Sequence, residues 1–205
     1  MRRFTVVCKT ELQLFTRDFF SFFFALVFPV GMLLLFGSIY GNVPLYEGAE
    51  VTMMDLSVPA YFVMVTGVTG LMSLPLTVSG YKEKKIYKRF DATPAGKMTV
   101  MLAQVFVCFI MTILGILLLL AAGMLLYQVR IRGSFLSVSV SLLFSIGGMF
   151  SMGFLFTAVG RDLKSTSLLC YLFYFMMLFL SGATLPKMLF PDSVKKISAL
   201  LPMTY

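Results

Sequence analysis

The densest group of ionisable side chains lies in residues 82–97 and could bind a partner protein. Glu83 stands there among Lys and Arg residues, and charged groups of this kind form charge-assisted hydrogen bonds across interfaces. Ile86 and Phe90 lie one helical turn apart, so both side chains could enter an apolar groove of the partner. The alternative is that these Lys and Arg residues only set the orientation of the chain in a membrane.

Other reactive side chains form no pattern typical of an enzyme. The chain has no His. It has no phosphate-binding loop, because Gly96 and Lys97 lack the upstream Gly of that motif. No metal-binding or disulfide spacing relates the three cysteines, Cys8, Cys108 and Cys170. We therefore expect no catalytic residue, no cofactor and no metal site. Any nucleotide hydrolysis that drives this protein must occur in a separate subunit.

Five long stretches contain no Asp, Glu, Lys or Arg; they are residues 19–46, 56–81, 98–129, 133–160 and 165–186. Each exceeds the roughly 20 apolar residues of helix that cross a bilayer core. The stretches predict an all-α, polytopic transmembrane helix bundle that forms a single domain over residues 1–205. We place its spans at about residues 19–42, 56–80, 98–127, 134–160 and 166–185, with a loop at residues 81–97.

The net charge of +8 could indicate nucleic-acid binding, but the Lys and Arg residues lie in the gaps between the uncharged stretches. With a cytoplasmic N-terminus, twelve basic residues fall inside and five outside. The outside set is Arg130, Arg132, Lys187, Lys195 and Lys196. Because cytoplasmic loops carry the excess of Lys and Arg, this count predicts a multi-pass protein of the cell membrane with its N-terminus in the cytoplasm and no nucleic-acid partner.

Residues 2–18 combine apolar and charged positions at helical spacing. One face carries Phe4, Val7, Cys8, Glu11, Leu12 and Phe15, with Glu11 as its only polar member. The other carries the basic residues Arg2, Arg3, Lys9 and Arg17. Such a pattern predicts an amphipathic helix in the membrane interface. The alternative is a solvated basic tail.

Several residues within the predicted spans should affect helix packing. Pro29 and Pro75 can kink a helix without breaking it. Small residues allow close helix approach; they are Gly67, Thr69, Gly70, Gly115, Gly123, Gly147, Gly148, Ser151 and Gly153. Hydroxyl side chains of the second span should bond back to their own helix; they are Thr66, Thr69, Ser73, Thr77 and Ser79.

After the fifth span, residues 192–201 predict a short interfacial or re-entrant helix that Asp192 or Ser193 could cap.

The loop sequence resembles the first cytoplasmic loop of ABC-2 type transporter permeases, whose pattern reads E-x-G-T-x-x-x-L-x-x-[TS]-P. Matching places are taken here by Glu83, Arg89, Phe90, Ala92, Thr93 and Pro94, while Lys85 stands where the family usually has Gly. The segment from Leu180 to Pro186 and the terminal L-P-M-T-Y also resemble the family. The resemblance covers nearly the whole chain.

The resemblance implies a permease subunit of an ABC exporter, which moves an amphiphilic substrate with energy from a separate cytoplasmic ATPase and works as a homodimer or heterodimer. It implies an ATPase contact through Glu83, Ile86, Arg89, Phe90, Thr93 and Pro94. The family has a sixth span after L-P-x-T-Y, whereas this sequence stops at Tyr205. The alternative function is therefore a non-transporting membrane protein: a structural or sensory subunit, or an inactive truncated permease.

Overall fold

The computed structural model describes residues 2–40, 52–93, 96–129 and 134–180. Pro94, the predicted C-terminal helix at residues 192–201 and the terminal L-P-M-T-Y lie outside the described residues. Within the described residues the secondary structure is helical, without a β-strand, and this confirms the predicted all-α helix bundle.

The helices follow the charge pattern of the sequence. An N-terminal helix α1 (Arg2–Arg17) precedes α2, which runs through Phe19–Phe22, Phe23–Val27 and Phe28–Tyr40. Helix α3 runs through Met53–Gly67, Val68–Ser73 and Leu74–Glu83, and the short α4 is Ile86–Asp91. The remaining helices are α5 (Gly96–Tyr127), α6 (Phe135–Val159) and α7 (Leu163–Leu180).

Four helices of the described residues are long and apolar enough to cross a membrane. They are Phe19–Ile39, Ser57–Glu83, Gly96–Tyr127 and Leu136–Val159, and they correspond to the first four predicted spans. The fifth predicted span begins in α7, whose described apolar part, Leu163–Phe179, is shorter. Residues 181–185 of that predicted span lie outside the described residues.

Helix α3 forms the centre of the bundle. In a continuous apolar stretch of 18 residues of α3, 83% of the residues are buried, compared with 17% in such a stretch of α2. The outer helices present large apolar side chains to their surroundings, including Phe19, Leu125 and Phe144. An apolar surface of this kind is compatible with contact with lipid tails and is unfavourable in water.

The two prolines that were expected to kink their helices each follow a stretch of wider π-helix. Phe23–Val27 precedes Pro29, and Val68–Ser73 precedes Pro75. A proline ring clashes with the carbonyl of the preceding turn and donates no N–H, and a wider turn relieves that clash. Both helices continue through their prolines, as predicted.

The N-terminal helix packs against the start of α5. Its Glu11 and Phe15 are buried, and the rings of Phe4 and Phe106 lie 5.8 Å apart. Lys9 is exposed on the outer side, as are Arg3 and Arg17. The predicted amphipathic division is therefore present except at Leu12, which is 37% exposed, and the buried part of the apolar face contacts protein. The predicted location in the membrane interface stays a prediction.

Candidate functional site

The segment between α3 and α4 makes a tight turn at Lys85. Lys84 has φ −73° and ψ 3°, and Lys85 has φ 55° and ψ 26°, which is the left-handed region. Glycine enters that region without strain, because it has no Cβ. Lys85 thus occupies a left-handed position where the resembling pattern has Gly, and α4 starts immediately after it.

Glu83 connects the end of α3 to the beginning of α7. Its Oε2 accepts a hydrogen bond of 2.8 Å from the backbone N–H of Leu163, the first residue of α7. Asp162 accepts a bond of 2.8 Å from the backbone N–H of Ser165 in the same turn. Two carboxylates therefore satisfy N–H groups at the start of α7, where the helix dipole also favours negative charge.

Helix α4 is attached to α5 at both of its ends. The Tyr87 hydroxyl donates a bond of 2.6 Å to Gln104 Oε1. Asp91 accepts a bond of 3.3 Å from the backbone N–H of Lys97 and lies 3.7 Å from the Lys97 ammonium group. The exposed ion pair contributes little stability by itself. Together these contacts hold the short helix against the third span.

The other predicted contact residues have different surroundings. Arg89 is exposed, and Ile86 and Phe90 are half-buried. Ile86 lines a cavity of the bundle, so part of its side chain faces that cavity and not an outside partner. The Thr93 hydroxyl donates a bond of 2.7 Å to the Phe90 carbonyl oxygen and closes the end of α4. The predicted contact with an ATPase stays a prediction.

The buried carboxyl group of Glu11 forms a polar cluster that the sequence analysis did not identify. It lies beside the side chains of Tyr81 and Gln104, and the Tyr81 and Tyr87 rings lie 5.7 Å apart. Burial raises the pKa of Glu11, whereas hydrogen bonding to Tyr81 opposes that increase. Burial likewise raises the pKa of Tyr87. Glu11 on an otherwise apolar face was the signal for this cluster, but its partners are far apart in sequence.

A cavity of about 460 Å³ opens beside this cluster. Its lining comes from α1, α2, α3, α5 and α7, with contributions from Glu11, Phe24, Ser73, Lys84 and Tyr171 among others. The buried hydroxyl of Ser73 and the Nε2 atom of Gln104 have no hydrogen-bond partner among the described residues. No three His, Cys, Asp or Glu side chains of the described part of the chain are placed to hold a metal ion.

Comparison with known proteins identifies the family. The family model for ABC-2 type transporters matches residues 2–205. Searches of curated proteins and of solved structures find no match. The family comprises membrane subunits and not ATPases, in agreement with the apolar helices described above. The chain is therefore a multi-pass membrane protein that belongs to the ABC-2 type transporter family, as a permease component of an ABC transporter.

Proposed function

We propose that this permease exports an amphiphilic substrate across the cell membrane with energy from a separate cytoplasmic ATPase. The proposal includes a homodimer or heterodimer of permeases with cytoplasmic N-termini. Its main support is the way in which the loop between the second and third spans is attached to the bundle. A partner bound there would contact a segment that is linked to several spans at once.

The attachments provide a route for mechanical coupling. Displacement of α4 acts on α5 through Tyr87 and Gln104, and on α3 through the short turn at Lys85. Displacement of the end of α3 acts on α7 through the bond between Glu83 and Leu163. Packed elements joined by such contacts can transmit a change at one site to another. The loop therefore suits the role of an ATPase-coupling element better than that of a simple connection.

The surface of α4 supports a docking role. Lys88 and Arg89 are exposed and can form charge-assisted bonds to carboxylates of the ATPase. Phe90 is half-buried and keeps part of its ring accessible for an apolar pocket. Ile86 contributes less to this surface, because it lines the cavity beside Glu11.

The experiment combines co-purification with transport. The chain is expressed with a candidate ABC ATPase subunit and reconstituted in liposomes, where ATP hydrolysis and export of a fluorescent amphiphile are measured. Arg89→Glu and Phe90→Ala should each weaken binding of the ATPase by about tenfold or more, since an interface anchor contributes about 2 kcal/mol. The matched control is Lys164→Glu, an exposed charge reversal outside the loop.

Two outcomes would contradict the proposal in different ways. Equal ATPase binding by both loop variants and the control would leave residues 82–97 with only a topological role. ATPase binding without stimulated hydrolysis or export by the unmodified chain would favour the non-transporting alternative.

A further inference from the structure

The cavity beside Glu11 is lined by both polar and apolar side chains. Along α3 its lining extends from Val68 to Lys84, roughly 24 Å at the rise of an α-helix. The apolar side chains include Phe24, Met72 and Val107. A cavity with this mixed lining accommodates a molecule with a head group and an attached hydrocarbon chain.

Two buried polar side chains line the cavity. Those of Gln104 and Ser73 are only 2% and 3% exposed. Gln104 Nε2 and Ser73 Oγ form no hydrogen bond within the described part of the chain. Buried polar groups in folded proteins almost always have a partner, so the unpaired amide of Gln104, which lies beside Glu11, indicates a ligand that bonds to it.

The charges around the cavity favour a cation. Glu11 is only 6% exposed, and no cationic side chain is among the groups that shift its pKa. Asp18 adds a second carboxylate, bonded to the Ser21 hydroxyl. Among the described residues that line the cavity, Lys84 is the only one with a cationic side chain, and it is exposed. Because a buried carboxylate is costly without a neighbouring cation, an ammonium group would stabilise Glu11.

We infer that this cavity binds an amphiphile whose head group carries a primary ammonium and a nearby oxygen acceptor. The ammonium donates to the Glu11 carboxylate, and the oxygen accepts from Gln104 Nε2. The hydrocarbon chain lies along the apolar side chains of Phe24, Met72 and Val107. The same chemistry occurs in a long-chain amino alcohol and in the head group of phosphatidylethanolamine. Binding here requires no ATPase, so the inference does not depend on the proposed transport.

The test uses the purified full chain in neutral detergent and a fluorescent long-chain amino alcohol, with fluorescence anisotropy as the measurement. Its N-acetyl derivative is the ligand control, because acetylation removes the charge and retains the chain and the hydroxyl. The unmodified protein should bind the amine at least about tenfold more tightly, the magnitude of one charge-assisted hydrogen bond. Equal affinities would overturn the inference, even without a protein variant.

Protein variants then locate the binding. Glu11→Gln retains the shape of the side chain and should abolish the preference for the amine. Asp91→Asn removes a carboxylate that does not line the cavity and should leave the preference unchanged. A preference that persists in Glu11→Gln would overturn the assignment to this cavity.

Competition distinguishes the two sources of the head group. Displacement of the amino alcohol by phosphatidylethanolamine, but not by phosphatidylcholine, would identify a membrane lipid as the ligand. Displacement by unlabelled amino alcohol alone would identify a free amphiphile. Either result supports the inference, whereas equal displacement by phosphatidylcholine would show that the ammonium chemistry is not recognised and would overturn it.

Discussion

Gly153 of α6 packs directly against the carbonyl oxygen of Gly70 in α3. A Cβ at Gly153 would overlap that oxygen. Gly70 lies in the π-helical stretch Val68–Ser73, where Leu74 donates its N–H to Thr69. The next donor in this pattern would be Pro75, which has no N–H for Gly70. The proline thus leaves a carbonyl that glycine on the neighbouring helix can approach closely, and Cα–H···O contacts of this kind recur between packed helices.

This contact predicts that Gly153→Ala destabilises the bundle by about 1–3 kcal/mol, the usual cost of an added methyl group in a closely packed interface. Gly147→Ala is the matched control on the same helix, since its Cβ would meet nothing within 4 Å in the described residues. The measurement is thermal unfolding in detergent. Equal unfolding temperatures for the two variants would show that α3 and α6 are not this close.

The left-handed backbone of Lys85 predicts that a smaller residue stabilises the turn. Lys85→Gly should stabilise the chain by about 1 kcal/mol, because a side chain in this region costs that order of energy. Lys84→Gly removes the same charge at a φ of −73° and should destabilise instead, through the greater entropy of the unfolded chain. Thermal unfolding of both variants measures the difference. A stabilising Lys84→Gly together with a neutral Lys85→Gly would contradict the left-handed turn.

The spans were predictable, whereas the contacts between distant residues were not. A bilayer requires long uncharged helices, so the uncharged stretches of the sequence and the charged residues between them were sufficient to locate α2, α3, α5 and α6. The back-bonds of Thr66, Thr69 and Thr77 also occur as predicted. Ser79 instead lies 3.1 Å from the Thr166 hydroxyl of α7. No local spacing indicates such a pair, because the helix arrangement decides which residues meet.

The same limit applies to the candidate site. Glu83 and Leu163 are 80 residues apart, and Glu11, Tyr81 and Gln104 come from three different helices. The sequence identified Glu83 through its charge and Glu11 through its apolar neighbours. Their partners carry ordinary residue types at ordinary positions, so only the tertiary structure identifies them.

The bond between Glu83 and Leu163 predicts a structural effect that can be separated from ATPase docking. Glu83→Ala should lower stability by about 0.5–1.5 kcal/mol, because the N–H of Leu163 loses its acceptor. Glu83→Gln retains an oxygen acceptor and should preserve most of that stability. Thermal unfolding of the chain alone measures the first effect, and ATPase co-purification measures docking. If Glu83→Gln keeps the stability but loses the ATPase, the carboxylate charge has a second role at the interface.

The charge distribution predicts the orientation of the chain. A reporter that is active outside the cell should function when fused within residues 48–55. A cytoplasmic reporter should function within residues 84–88, beside the coupling turn. The reverse pattern would place residues 82–97 outside, and the proposed contact with a cytoplasmic ATPase would then be impossible.

Glu11 predicts a specific pH dependence of stability. Its pKa in the folded protein is above the value of 4.5 for an unperturbed Glu, chiefly through burial. The folded state therefore holds its proton more tightly than the unfolded state, and stability falls as pH rises from about 4.5 through the higher pKa. Below that range both states are protonated, and the residue contributes no pH dependence.

The variant Glu11→Gln should remove this component, because glutamine keeps the hydrogen-bonding shape without a charge. Its unfolding temperature should match that of the unmodified chain near pH 4 and exceed it increasingly towards pH 7. The other ionisable groups that line the cavity or interact with Glu11 are unchanged in this comparison; among the described residues they are Cys8, Asp18, Tyr81, Lys84, Tyr87, Cys108 and Tyr171. Gln13→Glu is the control, since it adds a carboxyl group at an exposed position of the same helix and should not produce that growing difference. If Glu11→Gln is instead less stable at pH 7 than at pH 4 relative to the unmodified chain, the carboxylate is stabilised in the fold by a cation, and its burial is not the dominant effect.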